Sequence, residues 1–574
     1  MDEARTPMDR LRSRTRGAPA IAWRFASGSL LALCTLLTHP AVLSAQPAGD
    51  APSESALAVI RPETIRAHML FLADDLLEGR APGTRGYDLA ARYVAAQFEA
   101  LGLEPAGSEG SYYQPVPLRR IRLIPEHSGV DLVRGDERRE LELFEEFVMF
   151  GHVTHLESQV EAPLVFAGYG VTAPDLDYDD YVRTDVSGKI VVLLPGAPPR
   201  FPSAERAHFS SIELKQANAA RRGAVGILMA RTQDVERMFP WRALARISRT
   251  WSMRWLSPDG VPNNARPELR GQGVLSTEMS AWLFLGAAKS FDEAVAAAQQ
   301  SHPQAFPLDA RASIRMASRH ENFESPNIVG LLRGSDPSLA HEFVVYTAHL
   351  DHEGIGEPVD GDSIYNGALD NASGVAQMLE VAHAFARLPQ RPRRSVVFLA
   401  VTAEEQGLLG SDYYAHHPTV PIGHIVANIN LDGGLILVPP ADVVVHGAEH
   451  STLGAIAEAA AKRLDLEVTP DPAPEQSFFI RSDQYSFVKK GVPSVFPFPG
   501  AKSSDPAIDG AARLQQYLTE RYHTPRDDMS QPFSYEAGAI GARLNFAIGY
   551  AVAERSERPR WNPGDFFGRT FASQ

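Results

Sequence analysis

Apolar residues recur along this chain with two different periods, and the period changes twice. From Pro62 onward Ile65, Met69, Leu72 and Leu76 fall at helical spacing, until "RAPGTRG" breaks the pattern with a proline and glycines. "YDLAARYVAAQFEALGL" resumes it, with Leu89, Tyr93, Ala96 and Leu101 on one face. Between about 155 and 310 the texture is short and β-rich. "APLVFAGYGV" and "GKIVVLLPG" read as strands, and "SSIELKQANAARRGAVGILMA" as helix, glycine turn and strand. After Asn327 strands and helices alternate. "NIVGLL", "EFVVYTAHL", "SVVFLAVTA", "HIVANINLD" and "SVFPF" predict strands; "GVAQMLEVAHAFARL", "LGAIAEAAAKRL" and "AGAIGARLNFAIGYAVAE" predict helices. That alternation predicts an α/β layered fold around a mostly buried sheet.

The ends differ from the middle. Arg5, Arg10, Arg12, Arg14, Arg16 and Arg24 precede the apolar run "FASGSLLALCTLL" and the small-residue sequence "LSAQ". This order predicts a secretory signal peptide over 1–45, with Ala45 at the cleavage position. Residues 46–58, rich in Pro, Ala, Ser and Asp, read as a linker. The peptide-bond architecture is then expected to divide into an N-terminal part at 59–154, a β-rich insert at 155–310, an α/β domain at 311–555 and a tail at 556–574. The single cysteine, Cys34, lies inside the signal, which leaves the mature chain without disulfides, a thiol nucleophile or a thiolate metal site. No later run is long enough to span a membrane, so a soluble exported protein, periplasmic or extracellular, is expected. A formal net charge of −15 argues against nucleic acid as the main partner. There is no G-x-S-x-G elbow and no Walker-type phosphate loop.

The chemistry concentrates at predicted strand ends, where α/β sheets bind ligands. His349 and Asp351 follow "EFVVYTA", Asp370 follows the Gly-rich loop, Glu404 and Glu405 follow "SVVFLAVTA", Asp432 follows "HIVANINL", and His523 lies in "YHTPRDD". Imidazoles and carboxylates without thiolates suit a hydrolytic zinc site or another borderline divalent ion. Two His and three carboxylates exceed the needs of one catalytic zinc and fit two ions sharing a carboxylate. Adjacent Glu404 and Glu405 cannot both face the same way in a strand, so one can ligate while the other handles a proton. Taken one at a time, each of these residues also reads as a helix cap, a solvated charge or a packing histidine.

Taken together, "AHLDHEG", "NGALDNASG", "TAEEQGLLGS", "INLDG" and "YHTPRDD" resemble the ligand motifs of the M28 family of zinc metallopeptidases. "LVFAGYGVTAPDLDYDDY" and "GKIVVLL" resemble the protease-associated insert of many members. The resemblance implies a three-layer αβα zinc-exopeptidase fold with a mixed sheet and an inserted protease-associated domain available for protein contacts. It implies two zinc ions bridged by Asp370, one completed by Glu405 and His523 and the other by His349 and Asp432. Glu404 would be the general base, Asp351 would orient His349, and Tyr485 would stabilise the oxyanion. A cis peptide at Asp370–Asn371 is also implied. Gln484 stands where the family often has His. The expected activity is an aminopeptidase acting on peptides. Alternatives of the same fold are a carboxypeptidase or dipeptidase, for which Arg481 would be a carboxylate holder, a one-zinc glutaminyl cyclase, and a non-catalytic receptor-like binding protein.

Overall fold

The computed structural model describes residues 51–572 apart from 183 and 473; the expected signal peptide and the start of the linker lie outside them. The last part of the expected linker is ordered into the fold: Glu54–Leu57 form a helical turn, capped by Ser53, with Ala56 and Leu57 buried.

Seven strands carry the central sheet: β1 (Tyr113–Leu123), β2 (Phe306–Leu332), β3 (Phe343–His349), β4 (Ser395–Val401), β5 (Ile425–Asn430), β6 (Asp442–His446) and β7 (Ser494–Pro499). Their spatial order is β1-β2-β4-β3-β5-β7-β6. The inner strands β4, β3, β5 and β7 run parallel, and both flanks turn antiparallel, so the sheet is mixed. Parallel strands are covered on both faces, and the side chains divide accordingly. Val344, Tyr346, Ala348, Val396, Phe398 and Ala400 enter one core. Phe343, Val345, Val397, Leu399 and Val401 enter the other.

The first core is roofed by α1 (Pro62–Leu72), α2 (Arg85–Ala100), α3 (Gly374–Ala386), α4 (Leu453–Arg463) and α5 (Tyr535–Glu554). Pro62 starts α1, where its missing N–H costs nothing, and Thr84 caps α2 through its hydroxyl. The second core is closed by the helices Leu409–His416 and Gln484–Val488, which contribute Tyr414 and Phe487. The result is helix, sheet, helix.

A second sheet surrounds the first half of β2. Strands Gly129–Arg134 and Glu157–Phe166 flank it antiparallel, and Ile190–Leu193, Gly226–Ala230 and Gly271–Leu275 continue it in parallel. This body has apolar cores on both faces of its sheet. Its strands begin at Gly129, ahead of the edge near 155 that the texture suggests, because Gly129–Arg134 pairs with Arg311–Arg315. The long strand β2 belongs to both sheets. Its residues Ser318–Ile328 pair with β1, and Ile328–Leu332 pair with β4.

The pole of the sheet far from the strand C-termini is fixed by a buried cation. Arg394, fully buried just before β4, donates from Nε to Glu342 at 2.6 Å and from its remaining nitrogens to the carbonyls of Val552, Arg555 and Ser556 at the end of α5. Replacing it by Met strands a buried carboxylate with Arg558 as its remaining partner. Arg394→Met is expected to cost about 3–5 kcal/mol of unfolding free energy, readable as a lower urea midpoint at unchanged m-value.

Candidate metal centre

The strand order brings the predicted residues to one place. His349 ends β3, Glu404 and Glu405 follow β4, and Asp432 follows β5, so they project from the C-terminal edges of three adjacent parallel strands. Asp370 precedes α3, and His523 follows the helix Gly510–Glu520.

Asp370 lies between the two imidazoles. Its Oδ1 is 3.1 Å from His349 Nε2, and its Oδ2 is 3.3 Å from His523 Nε2. His349 Nε2 is also 3.2 Å from Asp432 Oδ1, and His523 Nε2 is 3.1 Å from Glu405 Oε2. Two nitrogens therefore each face two carboxylate oxygens, with one carboxylate common to both. His523 Nε2 is buried and has no hydrogen-bond partner despite these neighbours. One atom of each of His349, Asp370 and Glu405 lies within 4.8 Å of the others, as do atoms of Glu353, Glu405 and His523. Imidazole nitrogens and carboxylate oxygens converging on two points, with His523 Nε2 left without a hydrogen-bond partner, form a donor set that fits divalent metal.

The electrostatics agree. Burial pushes Glu404 well above the usual carboxylate range, reinforced by Asp432, Glu405 and Asp483. Burial opposes ionisation of Glu405 too, but His352 and His523 hold it at about 2. Burial lowers His349, yet Asp432 and Glu404 raise it well above the ordinary imidazole value. Without a cation, the site draws protons onto its histidines to balance its carboxylates.

Several residues that the motifs did not single out hold this geometry. Arg80, fully buried in the "RAPGTRG" turn, donates to the carbonyls of Leu72, Leu350, Asn366 and Gly367. It thereby ties the segment after β3 to the segment before Asp370. Burial lowers it to about 10, and Asp351, Asp370, Asp527 and Glu405 act against that fall. Asp527, in "YHTPRDD", accepts the Leu369 and Asp370 N–H groups at 3.0 Å. The Asp370–Asn371 peptide is cis. Asn371 donates to the Leu431 carbonyl and accepts from Gly374 and Gly433, which joins this turn to the Asp432 loop. A Cβ at Gly374 would stand 2.2 Å from Asn371 Oδ1 and 2.4 Å from the Leu431 carbonyl, so α3 must start on glycine. Ser482 donates to Asp432 Oδ2 at 2.6 Å. His352, buried, lies 2.6 Å from Glu405 through Nδ1.

Two of the expected contacts take a different form. The Asp351 carboxylate does not contact His349; it accepts the Glu404 and Glu405 N–H groups at 3.1 and 3.3 Å, and the Asp351 carbonyl faces His349 Nδ1 at 3.2 Å. Asp351 thus fixes the two glutamates through their backbone, and burial raises it to about 7. Tyr485 points away from the centre. Its hydroxyl meets His208 Nδ1 at 2.7 Å and its ring packs beside Phe567, because the short helix it sits on turns that face toward the C-terminal helix. Tyr522 is the tyrosine at the site: it stacks on His523 at 3.8 Å, and burial together with the field of Asp370, Glu405, Asp432 and Glu404 keeps its phenol protonated. Its place beside His523 in "YHTPRDD" was the available signal. Gln484 is buried and accepts from Asn430 at 2.8 Å, and Arg481 lies over the Phe478 ring at 5.5 Å.

Comparison with known proteins is consistent with this geometry. The model of peptidase family M28 matches residues 327–545. A protein of Aspergillus oryzae named probable leucine aminopeptidase 2 is 26% identical over 256 residues, covering 43% of this chain and 48% of that protein. A probable zinc metalloprotease of Pyrenophora tritici-repentis is 39% identical over 106 residues, 18% of this chain and 23% of the relative. This chain thus spans about half or less of the length of these relatives. Among solved structures, an aminopeptidase from Aneurinibacillus sp. strain AM-1 superposes with a TM-score of 0.50 at 19% identity, over 88% of this chain and 99% of its own, which shows a shared fold. Among the described residues no helix is long and apolar enough to cross a membrane.

Chelation should loosen the centre, since the carboxylates then repel one another. A divalent ion at about 100 times its dissociation constant adds about 2.7 kcal/mol to the folded state. Calorimetry should therefore show a lower melting temperature in excess chelator, restored by zinc and not by magnesium, which prefers all-oxygen ligands.

Proposed function

Because residues 327–545 match the model of peptidase family M28, we propose that this protein is an exported zinc-dependent aminopeptidase with two ions per chain. The observation that carries this reading is Asp370, whose two oxygens each face a different histidine at 3.1 and 3.3 Å. One ion would be held by His349, Asp432 and Asp370, the other by His523, Glu405 and Asp370. The basic and apolar residues of 1–45 support export.

Bound zinc supplies Lewis acidity, polarising the scissile carbonyl and easing deprotonation of the attacking water. The residues do the rest. Glu404, ionised once bound cations offset the charge of Asp432 and Glu405 beside it, takes the proton from water as it attacks the carbonyl carbon. It returns that proton to the departing amine, so the acid and base roles fall on one carboxyl. Asp351 aims Glu404 and Glu405 by accepting their backbone N–H groups. Tyr522, kept protonated, donates to the oxygen that gains charge as the carbonyl becomes tetrahedral.

Glu404→Gln should lower kcat on aminoacyl fluorophores by about 10²–10⁴-fold while the protein retains its zinc by elemental analysis. Two bound ions with no aminoacyl turnover, but cleavage of N-blocked peptides, would move the reading to a carboxypeptidase. Absence of stoichiometric zinc would sink the catalytic reading in favour of a binding protein.

The two tyrosines separate in the same assay. Tyr522→Phe should lower kcat by about 10²-fold with little change in KM, whereas Tyr485→Phe should leave kcat close to wild type and lower only the melting temperature.

A further inference from the structure

Each histidine of the centre has two ring nitrogens, and the metal-side nitrogen is defined only if something defines the other. For His349 that something is the Asp351 carbonyl, 3.2 Å from Nδ1. His523 is less constrained by the backbone. Its ring is stacked by Tyr522 at 3.8 Å and met edge-on by His352 at 5.7 Å. Those contacts fix the plane of the ring. They do not decide which nitrogen carries the proton, because a stacked ring has no donor or acceptor in its face.

Glu353 stands on the undefined side. Its Oε1 is 3.6 Å from His523 Nδ1, while Nε2 of the same ring faces Asp370 and Glu405 at 3.3 and 3.1 Å. The backbone behind Glu353 is held tightly. Gly354 has φ +80°, and a Cβ there would stand 2.7 Å from the Ala81 Cβ, so the chain turns hard against the segment that carries Arg80. The carboxylate itself remains about one-third exposed, as does the His523 side chain. Room therefore exists for the pair to close to hydrogen-bond length.

We propose that Glu353 is a positioning residue for His523, accepting its Nδ1–H and so presenting Nε2 as the unprotonated nitrogen toward Asp370 and Glu405. The proposal rests on the metal-centre reading given above. Its consequence is unequal holding of the two ions: the ion on the His523 side depends on an exposed carboxylate, and the ion on the His349 side depends on a backbone carbonyl that no substitution removes.

The test is a chelator competition on the full mature, zinc-loaded protein, reading the affinity of each ion, with ¹⁵N-histidine spectra as a second readout. Wild type should bind two ions and show His523 in the Nδ1–H form. Glu353→Leu should weaken one ion by about 10–100-fold and leave the other unchanged, with loss of the defined tautomer. Glu353→Gln, which keeps an acceptor oxygen, should recover most of that loss; melting curves check that both variants fold. Unchanged affinities in Glu353→Leu would overturn the proposal. Equal losses in Leu and Gln variants would also overturn it, since that pattern marks a direct ligand or a purely electrostatic effect. A wild-type protein that takes up no zinc would overturn the metal-centre reading itself, which the variants alone would not.

Discussion

Asp370 stands between two imidazoles with one oxygen turned to each, and much of the surrounding α/β body is arranged to keep it there. A buried carboxylate flanked by Glu405 and Asp432 is a costly thing to hold in place, because like charges in a low-dielectric setting repel and each resists desolvation. The fold answers by fixing the backbone on both sides of it. Asp527 accepts the backbone N–H groups of Leu369 and Asp370, Arg80 anchors the carbonyls of Asn366 and Gly367, and Asn371 ties the same turn to the Asp432 loop. These contacts come from four distant stretches of chain, so the centre cannot form before the domain does.

The same dependence explains the division of labour between the two sheets. Parallel strands β4, β3 and β5 set the spacing of His349, Glu404 and Glu405, and Asp432 at one sheet edge. The strand β2 passes from that sheet into the other body, and the helix Ser203–Ser210 of the second body returns to touch the first, where Ser203 donates to the Pro474 carbonyl and His208 meets Tyr485. Tyr485 lies on a short helix that follows Ser482, which hydrogen-bonds Asp432. The second body therefore leans on the segment that supports one side of the metal centre.

Local pattern made much of this visible. The apolar runs around Val344, Val397 and Ala427 announced buried strands, and His349, Asp370, Glu405, Asp432 and His523 stood at their ends in an order that carried its own meaning. The strand Asp442–His446 is not legible locally, since "DVVVH" between loops gives too short a run to separate from a turn. The continuity of β2 was equally hidden. A 27-residue strand carries two alternating patterns for two different cores, and its polar middle reads as a boundary.

What the sequence determined by itself is the inventory: which imidazoles and carboxylates exist and which strand ends carry them. Those follow from residue type and from periods of two and about three and a half, which are local properties. What only the tertiary structure decided is direction. Whether Asp351 faces His349 or the Glu404 backbone, whether Tyr485 or Tyr522 faces the carboxylates, and that Arg80 lies beneath them, depends on segments hundreds of residues apart meeting in one close-packed place. A side chain's direction is set there by what else occupies the space, and no neighbour in sequence reports it.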